Sequence, residues 1–166
     1  MSAELGPAGS CRSQPAGLRD TPTAMSEEST TPDLVELARQ YTEAANRRDF
    51  DALMHLYAPD GLHDGTRTAG VAPRGRAAIR GLIEDWFAAY EELVGVVEEH
   101  LDLGRGVLFA VVSQKARPVG ISGYVEQREV WVWVWVDGLL ASLTTYPHAD
   151  IDEARAAAER LAEERG

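Results

Sequence analysis

Three tryptophans alternate with valines near the end of the chain, at Trp131, Trp133 and Trp135. Successive side chains of a β-strand point to opposite faces, so the three indoles must project from the same face of one strand. An aromatic surface of this size has to be covered by the interior of the domain or by a partner. We expect the indoles to face inward, as the wall of a pocket or as packed core. The alternative is an outward orientation that forms a dimer interface.

The tryptophan segment belongs to a longer series of predicted strands. Four runs rich in Val, Leu and Trp are separated by turn residues, and they span residues 94–103, 106–115, 123–136 and 139–146. Asp137-Gly138 lies between the last two runs, and both residues tolerate the positive φ of a tight primed turn. The second half of the chain therefore predicts an antiparallel meander.

Helical spacing dominates the residues before these strands. Thr31-Pro32-Asp33 is typical of a helix start, and the apolar positions that follow put Tyr41 on a buried face. Asp49 can cap a second, short helix, and residues 76–92 predict a third with Trp86 and Tyr90 on its apolar stripe. Residues 150–165, rich in Ala, Glu and Arg, predict a last helix or a frayed tail.

The first thirty residues differ in composition from the rest. They are rich in Ser, Thr, Pro, Gly and Ala, so we expect a disordered tail. The predicted organisation is a tail at 1–30, a domain at 31–152 and a C-terminal helix or tail at 153–166. Met25 offers an alternative translation start, which the intact mass of the native protein would test.

The charge balance excludes several kinds of partner. Sixteen basic and 27 acidic residues give a net charge of −11, which repels nucleic acid and anionic membrane surfaces. No apolar run approaches the roughly 20 residues that span a bilayer, and we expect a cytoplasmic protein. The single cysteine, Cys11, allows no internal disulfide and no thiolate metal cluster.

The order of these elements resembles the SnoaL-like and ketosteroid-isomerase-like members of the nuclear transport factor 2-like superfamily. The resemblance covers residues 33–152 and rests on helix one and on the segments RRDFD, LMHLYAPDG, GRAAIRGLIEDWF and VWVDG. It implies an α+β fold in which a cone-shaped, curved antiparallel sheet is covered by three N-terminal helices and encloses an apolar pocket. It also implies a small-molecule ligand, no metal or organic cofactor, and a homodimer.

The resemblance also assigns candidate catalytic residues. Tyr41, eight residues before Asp49, is similar in position to the oxyanion-hole tyrosine of the isomerase. Asp64 lies near the catalytic aspartate of the family, but the sequence is one residue shorter there, so the alternation can turn Asp64 away and His63 inward. The strand that supplies a second acid in the isomerase has no matching carboxylate within residues 130–136.

Other residues are expected to line the pocket. Trp86 and Tyr90 of the third helix would lie opposite the tryptophan stripe. Glu99 alternates in phase with Val97 and Leu101, so its carboxylate can point inward, where desolvation favours the neutral acid; the alternative is a surface position.

The sequence leaves two functional hypotheses open. In the first, the pocket binds a small aromatic or polyketide-like molecule and performs cofactor-free proton transfer on it, as an isomerase or cyclase does, with Asp64 or His63 as the base. In the second, the domain is a non-catalytic ligand-binding or dimerisation module.

Overall fold

The elements follow one another in the predicted order, with one additional strand. A computed structural model describes residues 33–166, and the proposed tail at 1–30 lies outside them. The elements are α1 Leu34–Asn46, α2 Phe50–Leu56, β1 Tyr57–Asp64, α3 Arg76–Ala88, β2 Tyr90–Gly104, β3 Val107–Pro118, β4 Val125–Val136, β5 Leu139–Pro147 and α4 Ile151–Glu164.

Five strands form one sheet in the order β1-β5-β4-β3-β2. Strands β2 to β5 pair antiparallel with their neighbours, which confirms the predicted meander, and β1 pairs with β5 in parallel. The hairpin between β4 and β5 turns at Asp137 and Gly138, whose φ angles of 53° and 80° are those of a tight primed turn. This hairpin aligns the tryptophans of β4 with the strand beside them.

The two faces of the sheet are covered by different helices. Trp133 and Trp135 lie on the face that packs against α1, α2 and α3, and they belong to one core cluster with Tyr41. The valines between them lie on the opposite face with Phe109, where α4 packs through Ala154, Ala158 and Ala162. The indoles therefore face the interior.

Aspartates begin the first two helices. Asp33 Oδ1 accepts hydrogen bonds from the amides of Val35 (3.0 Å) and Glu36 (3.4 Å), so α1 begins at Leu34. Asp49 Oδ1 accepts from the Ala52 amide (3.1 Å), as the sequence predicts for α2. These caps satisfy amides that have no partner within the helix.

Helix α3 is shorter than the sequence predicts. It ends at Ala88 instead of Glu92, and Tyr90 already pairs with Pro118 of β3. Arg117 bonds across the strands to Glu91 (3.1 Å) and Glu92 (2.9 Å), so pairing in the sheet overrides the helical preference of these glutamates.

The last segment is a helix, one of the two alternatives that the sequence left open. Its buried alanines let α4 lie close against the sheet. No helix in the part of the chain that the structure describes is long and apolar enough to cross a bilayer.

We expect Ala158→Glu to lower the free energy of unfolding by about 3 kcal/mol, because Ala158 is fully buried against the sheet and a carboxylate there has neither space nor water. The matched control is Ala156→Glu on the exposed side of the same helix, which should stay within about 0.5 kcal/mol of the parent. Urea unfolding measures both. Equal losses in the two variants would contradict the packing of α4.

Candidate functional site

A cavity of about 90 Å³ lies between α1, α3 and the inner face of the sheet. Its walls are mostly apolar, and large side chains supply them: Leu82, Ile83, Trp86, Phe87, Leu93 and Trp131. A smaller set of polar side chains also reaches it, including Tyr41, His63, Gln114, Glu129 and Thr145. An apolar enclosure with a few convergent polar groups is the usual form of a small-molecule site.

Three side chains form a hydrogen-bonded series whose two end members, Tyr41 and His63, line this cavity. The hydroxyl oxygens of Tyr41 and Tyr57 are 3.0 Å apart, and the Tyr57 hydroxyl lies 3.0 Å from His63 Nδ1. Tyr41 comes from α1, whereas Tyr57 and His63 stand at the start and near the end of β1. These hydrogen bonds thus join a helix to a strand through polar groups that would be costly to bury unpaired.

Burial shifts the pKa of all three groups further from neutral pH, toward the uncharged form. It raises the pKa of Tyr41 to about 12 and the pKa of Tyr57 well above its ordinary value. Burial also lowers the pKa of His63 to about 4, and the nearby charge of Asp64 offsets only part of this effect. Each shift has the sign expected when the charged form loses its hydration.

The hydrogen-bond chain can run in either direction. If Tyr41 donates to Tyr57 and Tyr57 donates to His63 Nδ1, the imidazole carries its proton on Nε2. In the reverse direction His63 Nδ1 donates, Nε2 has a free lone pair, and the Tyr41 hydroxyl is free to donate to a ligand. The second arrangement places a hydrogen-bond donor at one end of the chain and a base at the other.

Glu129 brings a carboxyl group to the cavity. It precedes Trp131 by two residues on β4, so both side chains lie on the same face, and it is only 8% exposed. Trp131 Nε1 donates to Glu129 Oε1 at 2.8 Å. Burial raises the pKa of Glu129, although the bond from Trp131 opposes the shift. Compared with an exposed glutamate, its protonated form is favoured.

Trp131 connects the carboxyl group to the tyrosine chain. Its ring meets the ring of Tyr41 edge-on, with centroids 6.1 Å apart, and Trp133 meets Tyr41 in the same way at 4.9 Å. Edge-to-face packing of this kind fixes ring orientation as well as burying area. The acid and the hydroxyl chain are therefore held by one rigid aromatic cluster.

Within residues 33–166, no three His, Cys, Asp or Glu side chains are grouped closely enough to hold a metal ion.

Comparison with known families identifies this fold. The sequence profile of the SnoaL-like domain matches residues 38–143, which is more than half of the chain. This chain belongs to the SnoaL-like domain family. A search of curated proteins finds no match for it.

Solved structures share the fold of this SnoaL-like domain. A ketosteroid-isomerase-like protein from Catenulispora acidiphila, in complex with trimethylamine, is 18% identical with a TM-score of 0.62, over 70% of this chain and 86% of that one. A Mycobacterium tuberculosis protein in complex with estradiol-17β-hemisuccinate is 17% identical with a TM-score of 0.61, over 71% and 95%. TerC, co-crystallised with polyporic acid, is 12% identical with a TM-score of 0.60, over 73% and 96%. These likenesses confirm the expected α+β fold.

Four of the residues singled out in the sequence meet at the cavity of the SnoaL-like domain. They are Tyr41, His63, Trp86 and Trp131. The other five, Asp64, Tyr90, Glu99, Trp133 and Trp135, are absent from its walls.

Asp64 caps a turn instead of facing the cavity. Its Oδ1 accepts from the amide of Thr66 (3.1 Å) and from the Thr66 hydroxyl (2.6 Å). This is a local bond pattern typical of aspartate in turns. Of the two alternatives at this position, the structure has His63 turned inward and Asp64 turned away.

A β-bulge moves Glu99 to the other face of the sheet. The pairing of β2 shifts between Val97 and Glu99, so Val97 pairs with Val112 of the inner face while Glu99 pairs with Val111 of the outer face. One extra residue reverses the alternation, and the carboxylate of Glu99 is exposed. Of the two alternatives for Glu99, the structure has the surface position, and the inward position in phase with Val97 is wrong.

Three aromatic residues predicted to line the pocket have other positions. Trp133 and Trp135 are packed in the core, where their rings stack on one another with centroids 6.0 Å apart. Tyr90 begins β2 because α3 ends early, and its carbonyl accepts from Arg48 Nη2 (2.7 Å).

Glu129 is the residue that sequence reasoning missed. It directly precedes residues 130–136, the segment in which the resemblance predicts no second acid. The signal was the period-2 pattern itself, since Glu129 continues the stripe of Trp131, Trp133 and Trp135 by one more step of two.

The partly buried imidazole of His63 predicts a pH dependence of stability. Below about pH 6.5 the unfolded state protonates His63, whereas the folded state does so only near pH 4. The contribution of His63 to the free energy of unfolding should therefore be complete above about pH 6.5. It should fall as the pH drops to about 4, by up to about 3 kcal/mol. Urea unfolding across this range should show a shallower dependence in His63→Gln.

His55→Gln is the control, because His55 is exposed on α2. It should retain the pH dependence of the parent protein. If His63→Gln retains it as well, the imidazole is not buried as described.

Proposed function

We propose that the cavity binds a small aromatic or polyketide-like molecule and that Tyr41, His63 and Glu129 transfer protons on it without a cofactor. The observation that carries this proposal is the convergence of a buried carboxyl group and a hydroxyl-imidazole chain on one apolar cavity. Buried groups of this kind, with shifted pKa values, are the usual means of acid-base catalysis near neutral pH.

Glu129 is the proposed proton carrier. Its raised pKa brings it closer to the operating pH, where a carboxyl group both accepts and returns a proton efficiently. Removal of a proton beside a ligand carbonyl leaves negative charge on the carbonyl oxygen. The Tyr41 hydroxyl, which stays protonated at neutral pH, would donate to that oxygen.

His63 supports the donor at the other end of the chain. When Tyr41 donates to the ligand, Tyr57 can donate to Tyr41, and His63 Nδ1 can donate to Tyr57. Each hydroxyl then keeps a donor and an acceptor role, so the oxyanion is stabilised by the whole chain. His63 Nε2 is the second candidate base in this arrangement.

The proposed ligand class rests on the walls of the cavity. Trp86, Phe87 and Trp131 offer flat surfaces to an aromatic ring. Proteins of the same fold have been solved with estradiol-17β-hemisuccinate and with polyporic acid, which supports a ring-containing ligand.

The alternative function is binding without turnover. The solid packing of Trp133 and Trp135, which leaves only part of the tryptophan stripe open to a ligand, favours this version. It requires the same cavity but no proton transfer.

Deuterium exchange distinguishes the two functions. The probe is 2-indanone, an aromatic ketone with acidic α-protons, and NMR in D₂O follows their loss. We expect the protein to accelerate the exchange and Glu129→Gln to slow it at least tenfold, because an amide cannot carry the proton. Tyr41→Phe should slow it by about tenfold or more, through loss of the donor.

Glu126→Gln is the matched control, since Glu126 is exposed on the same strand. It should exchange 2-indanone at the parent rate. Full activity in Glu129→Gln would remove Glu129 from the mechanism. Binding of 2-indanone without accelerated exchange in the parent would favour the non-catalytic function.

A further inference from the structure

A second cavity adjoins the first along the inner side of β2. It has a volume of about 320 Å³ and lies between the first half of α1 and strands β2 and β3. Its walls include the apolar side chains of Val35, Ala38, Val97 and Leu108, and the charged or titratable side chains at its exposed rim are Arg39, Glu43 and His100.

Two residues border both cavities, namely Thr42 on α1 and Gly95 on β2. Glycine contributes no side chain at this boundary. A Cβ at Gly95 would have its nearest contacts at 3.8 Å and 3.9 Å, to Val112 and Ser113, and the backbone there does not require glycine. Few protein atoms therefore separate the two cavities at Gly95, and a larger side chain would fit there.

The backbone at this boundary is fixed from the helix. Asn46 Nδ2 donates to the Gly95 carbonyl (3.0 Å), and the Gly95 amide donates to Asn46 Oδ1 (2.9 Å). These bonds occupy backbone groups on the side of β2 where, among residues 33–166, no strand pairs with it. Asn46 thus holds α1 and β2 at a constant separation where the cavities meet.

We propose that the two cavities form one elongated site and that Gly95 sets the length of ligand that the site accepts. The first cavity takes a polar aromatic head, and the second takes an uncharged apolar chain attached to it. This inference rests on the proposed function, because the head is the group that Tyr41 and Glu129 recognise.

The second cavity is suited to a chain without charge. Arg39 is already paired with Glu36 and Glu43 on its own helix, so it has no unsatisfied charge to attract an anionic tail. Val35, Ala38, Val97 and Leu108 give this cavity apolar walls. Burial of each methylene group there should raise the affinity by about fourfold.

A series of phenols tests the connection. Isothermal titration calorimetry would compare phenol, 4-ethylphenol, 4-butylphenol and 4-hexylphenol. In the parent protein we expect affinity to rise along the series by about fourfold per methylene. In Gly95→Val, the longer phenols should lose most of this gain relative to the variant's own affinity for phenol, because the valine side chain occupies the passage.

Two further variants accompany this test, one as a control and one as a second way to block the cavity. Val94→Ala, on the exposed opposite face of β2, should reproduce the parent series. Val97→Phe fills the second cavity from its wall and should also remove the gain, which keeps the proposal testable if Gly95→Val folds poorly.

A flat series in the parent, or an unchanged series in both Gly95→Val and Val97→Phe, would overturn the inference. In those cases phenol itself still binds, and the proposed function stands. Failure of phenol and 2-indanone to bind at all would instead remove the proposed function, and the inference with it.

Discussion

Burial of β4 on both faces is the constraint on which the rest of the structure depends. Its indoles point to one side and its valines to the other, so neither side can remain in water. Helices α1 to α3 cover the first side and α4 covers the second. The cost is visible in the Nε1 groups of Trp133 and Trp135, which have no hydrogen-bond partner among residues 33–166. The area that these rings bury outweighs that loss.

The same enclosure gives the polar groups of the cavity their chemical character. Tyr41, Tyr57 and His63 avoid the penalty of burial by bonding to one another, and Glu129 avoids part of it by bonding to Trp131. Each of these groups bonds to an uncharged side chain, so no salt bridge holds it in its ionised form. Burial among well-packed aromatic rings thus raises the pKa of Glu129 and of both tyrosines, and it lowers the pKa of His63 in spite of the charge of Asp64.

The fold was largely predictable from the sequence, because it depends on periodic patterns and turn chemistry. The meander, the Asp137-Gly138 hairpin and the Asp49 cap all follow from local rules. The site was less predictable, because its membership depends on single-residue shifts. The bulge at Val97 and Glu99 reverses a face without any marked change in residue type. Likewise, the choice between His63 and Asp64 depends on the pairing of β1 with β5, which is a long-range contact.

Helix α4 also affects how this domain can meet another copy of itself. The part of the outer face formed by Phe109, Val132 and Val134 is already covered from within the chain, by a helix that follows β5 after the short 3₁₀ helix His148–Asp150. A tethered segment competes at an effective concentration on the order of millimolar. A second molecule approaching that part of the face would have to displace this built-in competitor, so the homodimer that the family resemblance predicts would form more readily through a surface that α4 does not cover.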